Sequence, residues 1–352
     1  MTDLLTPIVL LPLFSLLLSW GLLQLYFPIA RKYGLLAGVN HRSSHSKPVI
    51  TGAGFIFFVS YAVYVGYAFV QGISMPWWML AGLLMLAVVS FIDDLVDVWF
   101  LIRLIVQFVA VSLMLLQIAV EPANQIDMGA HAVQWLAAVT LLVLAVGTVN
   151  LDNFMDGING MMGFLTLATL VPLILIDRYV IDYIDENWLY YSLIPTLLFL
   201  FYNARRQPKC FSGDVGAIVV GYVVLYAVLT LIVRTGNVAY ILLLAMVYME
   251  AGMTVLQRLL AGDNVFQSHR IHLFQLLVNE HHKPHLLVSG SYAAMQFGFG
   301  MALFFLNYFK VGLWLQNLLA WTAFLACLLF YVWKKNKLMG GRFLSYNRHS
   351  FN

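Results

Sequence analysis

Adjacent aspartates, Asp93 and Asp94, close an apolar run in "SFIDDLVDVWF", in a chain with only 16 Asp and Glu among 352 residues. Two further acids stand in other polar segments, Asp156 in "NLDNFMDGING" and Asp214 in "NARRQPKCFSGDVG". Gathered on one patch, Asp93, Asp94, Asp156 and Asp214 would repel one another and retain protons unless a cation intervened. Mg²⁺ suits that need, because it takes one or two carboxylates and completes its shell with phosphate oxygens and water. Lys47, Arg258 and Arg270 add the positive charge that a phosphate-bearing ligand requires. Taken alone, the Asp93–Asp94 pair is explained equally well as a helix end. Yet a carboxylate deep in hydrocarbon costs about 2.5–3.5 kcal/mol, so acids bordering apolar runs are tolerated rather than favoured without a use.

The remaining polar residues sort by spacing. Glycines in "TGAGF" and "SGDVG" permit close backbone approach and positive φ, which would present N–H groups to a phosphate or nucleotide; tight helix packing explains them equally well. His269 and His272 of "HRIH" share a face if helical, but no third zinc ligand accompanies them, and phosphate contact is the better reading. "NEHHKPH" reads as a solvated loop and "MPWWM" as part of an interfacial aromatic belt. Glu250 is expected within the end of an apolar run, where a structural pairing with Arg258 accounts for it as well as a functional acid does. Cys210 and Cys327 lie on different elements and predict no disulfide.

The apolar sequence between these segments must position them. The chain is 62% hydrophobic and 10% charged, whereas soluble domains average about 45–50% apolar and about 25% charged. Continuous apolar runs predict an all-α polytopic integral membrane protein, a bundle of about 11 transmembrane helices in one domain over residues 1–352. Helix centres fall near Leu17, Val63, Leu84, Val111, Leu142, Ala168, Leu197, Val224, Leu244, Gly298 and Phe324. A broken or re-entrant helix between Val149 and Val180 would reduce the count to about ten. The first helix lacks a basic flank and is too long for a cleaved signal, so it is expected to be retained. With the odd count, all Lys and Arg except Arg178, Arg234 and Lys310 fall on the side of the C-terminal "KKNKLMGGR". That side is therefore expected to be cytoplasmic. The same topology sends five polar segments to it, at residues 41–54, 93–94, 150–160, 203–216 and 256–275. The acidic loop "DRYVIDYIDEN" falls opposite.

Together and in this order, the segments resemble the polyprenyl-phosphate N-acetylhexosamine-1-phosphate transferases, glycosyltransferase family 4, over nearly the whole chain. Asp93–Asp94 resemble that family's paired aspartates. "NLDNFMDGING" resembles its Asn-x-x-Asn-φ-x-Asp-Gly-φ-Asp-Gly signature, "GDVG" its Gly-Asp-x-Gly segment and "HRIH" its final His-containing loop. The resemblance implies transfer of a sugar-1-phosphate from a UDP-N-acetylhexosamine to undecaprenyl phosphate at the inner membrane of a bacterium, with release of UMP. It implies Mg²⁺ as cofactor, with Mn²⁺ as a substitute. Asp93, Asp94 and Asp214 would then be catalytic, Asp214 and Asp94 holding the metal. Lys47, Asn150, Asn153, Asp156 and Asn159 resemble nucleotide-binding positions, and Arg270 and His272 would contact the diphosphate or sugar. The lipid phosphate, with a second pKa near ~6, is already a nucleophile at neutral pH, which favours direct in-line attack over a covalent Asp intermediate. Membrane lipids are implied partners, nucleic acid is not, and a homodimer is allowed.

This chain departs from the pattern at Asn159, where the family commonly has Asp, and at Thr51, where an Arg is expected. The single "HRIHLFQ" in place of clustered histidines, together with "RSSH", points to the branch that initiates O-antigen and similar surface glycans. UDP-GlcNAc, UDP-FucNAc and UDP-QuiNAc are the matching donors, and transfer of phospho-N-acetylmuramoyl-pentapeptide is the alternative. A transporter would instead place its acids near the bilayer midplane beside broken helices. A member that binds lipid phosphate or nucleotide without turnover is the third reading.

Overall fold

Every one of the eleven predicted centres falls inside a helix. The computed structural model describes residues 9–38, 47–121, 124, 132–265 and 269–344. Residues 41–46, which include "RSSH", and residues 266–268 lie outside them. The helices are α1 (Leu11–Tyr33), α2 (Phe55–Val70), α3 (Trp77–Leu95), α4 (Phe100–Val120), α5 (Ala132–Phe154), α6 (Met161–Tyr179), α7 (Asn187–Asn203) and α8 (Gly213–Thr235). They continue with α9 (Val238–Leu260), the short α10 (Leu273–Gln275), α11 (His285–Tyr308) and α12 (Leu313–Leu338). Among the described residues, 9 of these helices are long and apolar enough to cross a membrane; α2 and α7, with 16 and 17 residues, are shorter. The chain is an all-α polytopic membrane protein. The stretch between Val149 and Val180 holds no broken or re-entrant helix: α5 ends at Phe154, residues 155–160 form a turn, and α6 runs on to Tyr179.

Helix α8 is the hub. Its sequence, "GDVGAIVVGYVVLYAVLTLIVRT", is apolar on every side, the pattern of a helix enclosed by others. Its most apolar stretch is 94% buried, against 11% in α12, which turns Trp314, Leu325 and Phe330 outward. Around α8 pack α2, α3, α4, α5, α6 and α7.

Two glycines let α2 and α8 meet backbone to backbone. A Cβ on Gly54 would lie 2.1 Å from Gly216 Cα, a separation no side chain tolerates. The adjoining strands reinforce the contact. Short β1 (Leu36–Ala37) pairs antiparallel with β2 (Val49–Ile50), and Ile50 bridges to Cys210. Phe211 N donates to Ile50 O at 2.7 Å, Ala53 N to Phe211 O at 3.1 Å and Gly54 N to Ser212 O at 2.8 Å. These amides are thus consumed in chain packing, and the expectation that "TGAGF" offers them to a phosphate is corrected at Ala53 and Gly54. Cys210 and Cys327 are both free thiols.

Helix α9 changes pitch along its length. It is a 3₁₀-helix over Val238–Leu244, α-helical over Ala245–Val247, a π-helix over Tyr248–Gly252 and α-helical again over Met253–Leu260. In the last portion Thr254, Gln257 and Arg258 are buried while Leu256, Leu259 and Leu260 face outward.

Candidate active site

Four spans bring their ends to one place. The C-terminal turn of α3 carries Asp93 and Asp94, the start of α4 carries Arg103, the end of α5 and its following turn carry Asn153 and Asp156, and α8 begins beside Asp214. The turn between α3 and α4 is closed by Val98 N, which donates to Asp93 Oδ1 at 2.9 Å. That turn lets Arg103 reach back: its Nη1 donates to Asp93 Oδ2 and, at 3.2 Å, to Asp214 Oδ2. Asn153 Nδ2 donates to the other Asp214 oxygen at 3.2 Å. Of the two acids that share Arg103, Asp93 is enclosed with 8% of its side chain exposed, while Asp214 keeps 28%, so Asp214 is the one a ligand can reach.

Asp94 does something different. Its Oδ1 accepts Asp214 N–H at 2.9 Å and its Oδ2 accepts Val215 N–H at 3.1 Å. A carboxylate from α3 therefore caps the first turn of α8, where the helix dipole favours negative charge and the N–H groups have no intrahelical partner. Gly213 makes room for it, with φ 70° and a position where a Cβ would stand 2.4 Å from Asp94 Oδ2. Below them Ser212 Oγ donates to Asp156 Oδ2. Burial, with the neighbouring Asp214 and Asp94 adding repulsion, raises the Asp156 carboxyl to about 7 despite the Ser212 bond.

Among the described residues, no three His, Cys, Asp or Glu side chains stand close enough to cage a metal ion. Mg²⁺ does not need such a cage, because it commonly binds one or two carboxylates and takes its remaining oxygens from phosphate and water. An accessible Asp214 beside Asp93, with only oxygen donors at hand, fits a hard cation held partly by its ligand.

The other residues singled out by sequence take varied places. Asn150 forms a reciprocal amide pair with Gln107 of α4, at 2.8 and 3.2 Å, and so ties α5 to α4. Asn159 is buried, donates to Arg205 O at 2.8 Å and accepts Ser289 Oγ on its own carbonyl at 2.7 Å. Lys47 is exposed just ahead of β2, and Arg270 is half-buried in the segment entering α10. His272 is buried, with Nδ1 3.3 Å from Glu250 Oε1. Burial holds the His272 ring below its usual pKa and takes His269 down to about 2, so neither brings positive charge to a phosphate at neutral pH. The expected Glu250–Arg258 pair does not form; Arg258 stands 3.8 Å from Asp263 and donates to Asn264 O at 2.5 Å.

Arg103 escaped the sequence reading. Its signal was there, a lone arginine at the start of the apolar run "FLIRLIVQF" shortly after the acid pair. A cation at such a position has to find a counter-charge.

This all-α membrane chain belongs to the class of polytopic proteins whose spans converge, at one end of the bundle, on polar side chains: here carboxylates, an asparagine and a bridging arginine. Similarity narrows that class. The family model for glycosyl transferase family 4 matches residues 76–232, from the approach to α3 through most of α8. Every residue of the acidic cluster lies within the match. The chain is also 26% identical over 189 residues to a phospho-N-acetylmuramoyl-pentapeptide-transferase of Fervidobacterium nodosum, covering 51% of this chain and 58% of the relative. It is 28% identical over 87 residues to the protein of that name from Kosmotoga olearia, covering 25% of this chain and 26% of the relative. The chain thus spans less than two thirds of the length of either curated relative.

Proposed function

We propose that this protein transfers N-acetylhexosamine-1-phosphate from a UDP-sugar to undecaprenyl phosphate, releasing UMP, at the cytoplasmic face of a bacterial inner membrane. The observation that carries the reading is the Arg103 bridge between Asp93 and an accessible Asp214 at the capped start of α8. A cation beside a carboxylate that a ligand can reach supports a site for phosphate-bearing substrates.

An oxygen of the lipid phosphate attacks the sugar-bearing phosphorus. The new P–O bond forms as the bridging bond to UMP breaks, and the leaving phosphate departs as an anion. Arg103, with its planar fork of N–H donors, would bind the oxygens of the transferring group. Asn153 and Arg103 hold Asp214 from two sides and fix the direction of its carboxylate. Bound Mg²⁺ would neutralise charge on the transferring group, with Asp214 as the ligand and Asp93 in support. Asp94, spent on two α8 amides, acts first by fixing Asp214 and less as a direct ligand.

Two donor classes divide the reading. The single "HRIHLFQ" supports a simple N-acetylhexosamine and an O-antigen type of product, whereas the names of the two relatives support UDP-N-acetylmuramoyl-pentapeptide. Purified protein in detergent, given undecaprenyl phosphate, Mg²⁺ and a panel containing both classes, should release UMP from one of them. EDTA and Asp214→Asn should each abolish release. Folded protein that releases UMP from no donor refutes the transferase; turnover retained in Asp214→Asn removes that residue from its assigned role.

A further inference from the structure

Behind the acidic cluster lies a second group of titratable side chains, enclosed and unused by the chemistry above. Glu250, in the π-helical turn of α9, has no exposed surface. Its Oε1 accepts Leu273 N–H at 2.8 Å and Tyr331 OH at 3.1 Å and stands 3.3 Å from His272 Nδ1. Its Oε2 accepts Tyr292 OH. These partners come from the start of α10, from α11 and from α12. Lys335, equally buried on α12, donates to Thr254 Oγ1 at 2.7 Å and lies within electrostatic reach of Glu250.

A hydrophobic junction of the same volume would hold three helices together at least as well as a buried charge. What the carboxylate alone provides is a grip on two successive groups of the "HRIHLFQ" segment, the His272 ring and the Leu273 amide. That segment in turn packs on the turn after α5. The His272 ring lies 6.5 Å from that of Phe154, between centroids. Phe274 fills the space Gly157 leaves open, where a Cβ would fall 2.7 Å from Phe274 Cε2. Phe154 and Gly157 flank Asn153 and Asp156, which bond Asp214 and Ser212.

We propose that Glu250 is a positioning residue: by gripping His272 and Leu273 it seats residues 269–275 on the turn at 153–157 and so sets Asn153 and Asp156 relative to Asp214, with Lys335 as its counter-charge. The anchor stands on geometry alone; its effect on turnover rests on the transferase reading.

The test compares the full chain in detergent as wild type, Glu250→Gln and Glu250→Gln/Lys335→Met. Backbone hydrogen exchange at residues 272–276 should accelerate about 10-fold or more in Glu250→Gln as the segment opens locally. UMP release should lose about 10–100-fold in kcat with a smaller change in KM for the UDP-sugar, the signature of misplacement rather than lost binding. The double variant, freed of an unpaired buried ammonium, should regain melting temperature but neither exchange protection nor kcat. Where Glu250→Gln alone does not fold, the double variant carries the comparison. Wild-type protection and kcat in Glu250→Gln would overturn the proposal, as would recovery of kcat together with melting temperature in the double variant. If wild type releases no UMP from any donor, the transferase reading fails while the exchange measurement still decides the anchor.

Discussion

The Asp94 carboxylate of α3 accepts the backbone N–H groups of Asp214 and Val215, at 2.9 and 3.1 Å, and so serves as the N-terminal cap of α8, a different span. Its removal has to cost fold as well as activity. Asp94→Ala leaves two buried donors without partners and should destabilise the protein by about 1–3 kcal/mol, read as a lower melting temperature in detergent. Asp94→Asn keeps one acceptor and should fall between. Equal melting temperatures for Asp94→Ala and wild type would remove the cap.

Arg103 joins Asp93 to Asp214 through a single guanidinium nitrogen. Arg103→Ala should reduce UMP release by about 100-fold or more, the scale seen when a preorganised donor to developing charge is lost. Arg103→Lys keeps the charge but loses the planar fork and should recover only part of the rate. Full activity in Arg103→Ala would leave the arginine a structural brace.

The backbone contact between Gly54 and Gly216 tolerates no side chain. Gly216→Ala, whose Cβ would fall 2.7 Å from Gly54 Cα, should destabilise by about 1–3 kcal/mol or more, since neither backbone can withdraw without moving a whole helix. Size-exclusion profiles and thermal melts of the detergent-solubilised variant decide it; a wild-type melt would show that α2 and α8 can separate.

Asp156 titrates at about 7, whereas an aspartate in the unfolded chain titrates near ~3.9. Between those values the folded protein binds more protons than the unfolded one, so this group's contribution is most favourable below about pH 4 and is lost as pH rises through about 7. In EDTA, melting temperature should therefore fall between about pH 5.5 and about pH 8, and Asp156→Asn should shrink that fall. An unchanged pH dependence in Asp156→Asn would place the titration elsewhere.

Much of the fold was legible because lipid allows few solutions: long apolar runs in water-free surroundings must be helices, and all eleven centres lie in them. The acid pair was legible because charge is scarce here. Arg103 needs a counter-charge by the same reasoning, but which acids supply it depends on a turn at Val98 that folds α4 back against α3. Glycine spacing in "TGAGF" and "SGDVG" suits a phosphate cradle and a helix crossing alike, and the crossing is favoured by the packing itself, in which a Cβ on Gly54 would fall 2.1 Å from Gly216 Cα. The Glu250–His272 contact joins residues on separate elements through an irregular helix, which no periodic pattern encodes. Asn150 pairs with Gln107 across α4 and α5, a partner that motif spacing could not single out.

The pitch changes of α9 act as a phase adapter. An α-helix turns about 100° per residue, so the wider π-turn at Tyr248–Gly252 resets which side of the following segment looks inward. Upstream, the helix buries a wholly apolar surface among its neighbours; downstream, the same continuous rod presents Thr254, Gln257 and Arg258 to the protein and leucines to the outside. Deleting one residue from that turn would rotate the downstream segment by roughly a quarter turn, sending Arg258 toward lipid. One locally overfull turn thus sets which side of Met253–Leu260 faces the protein.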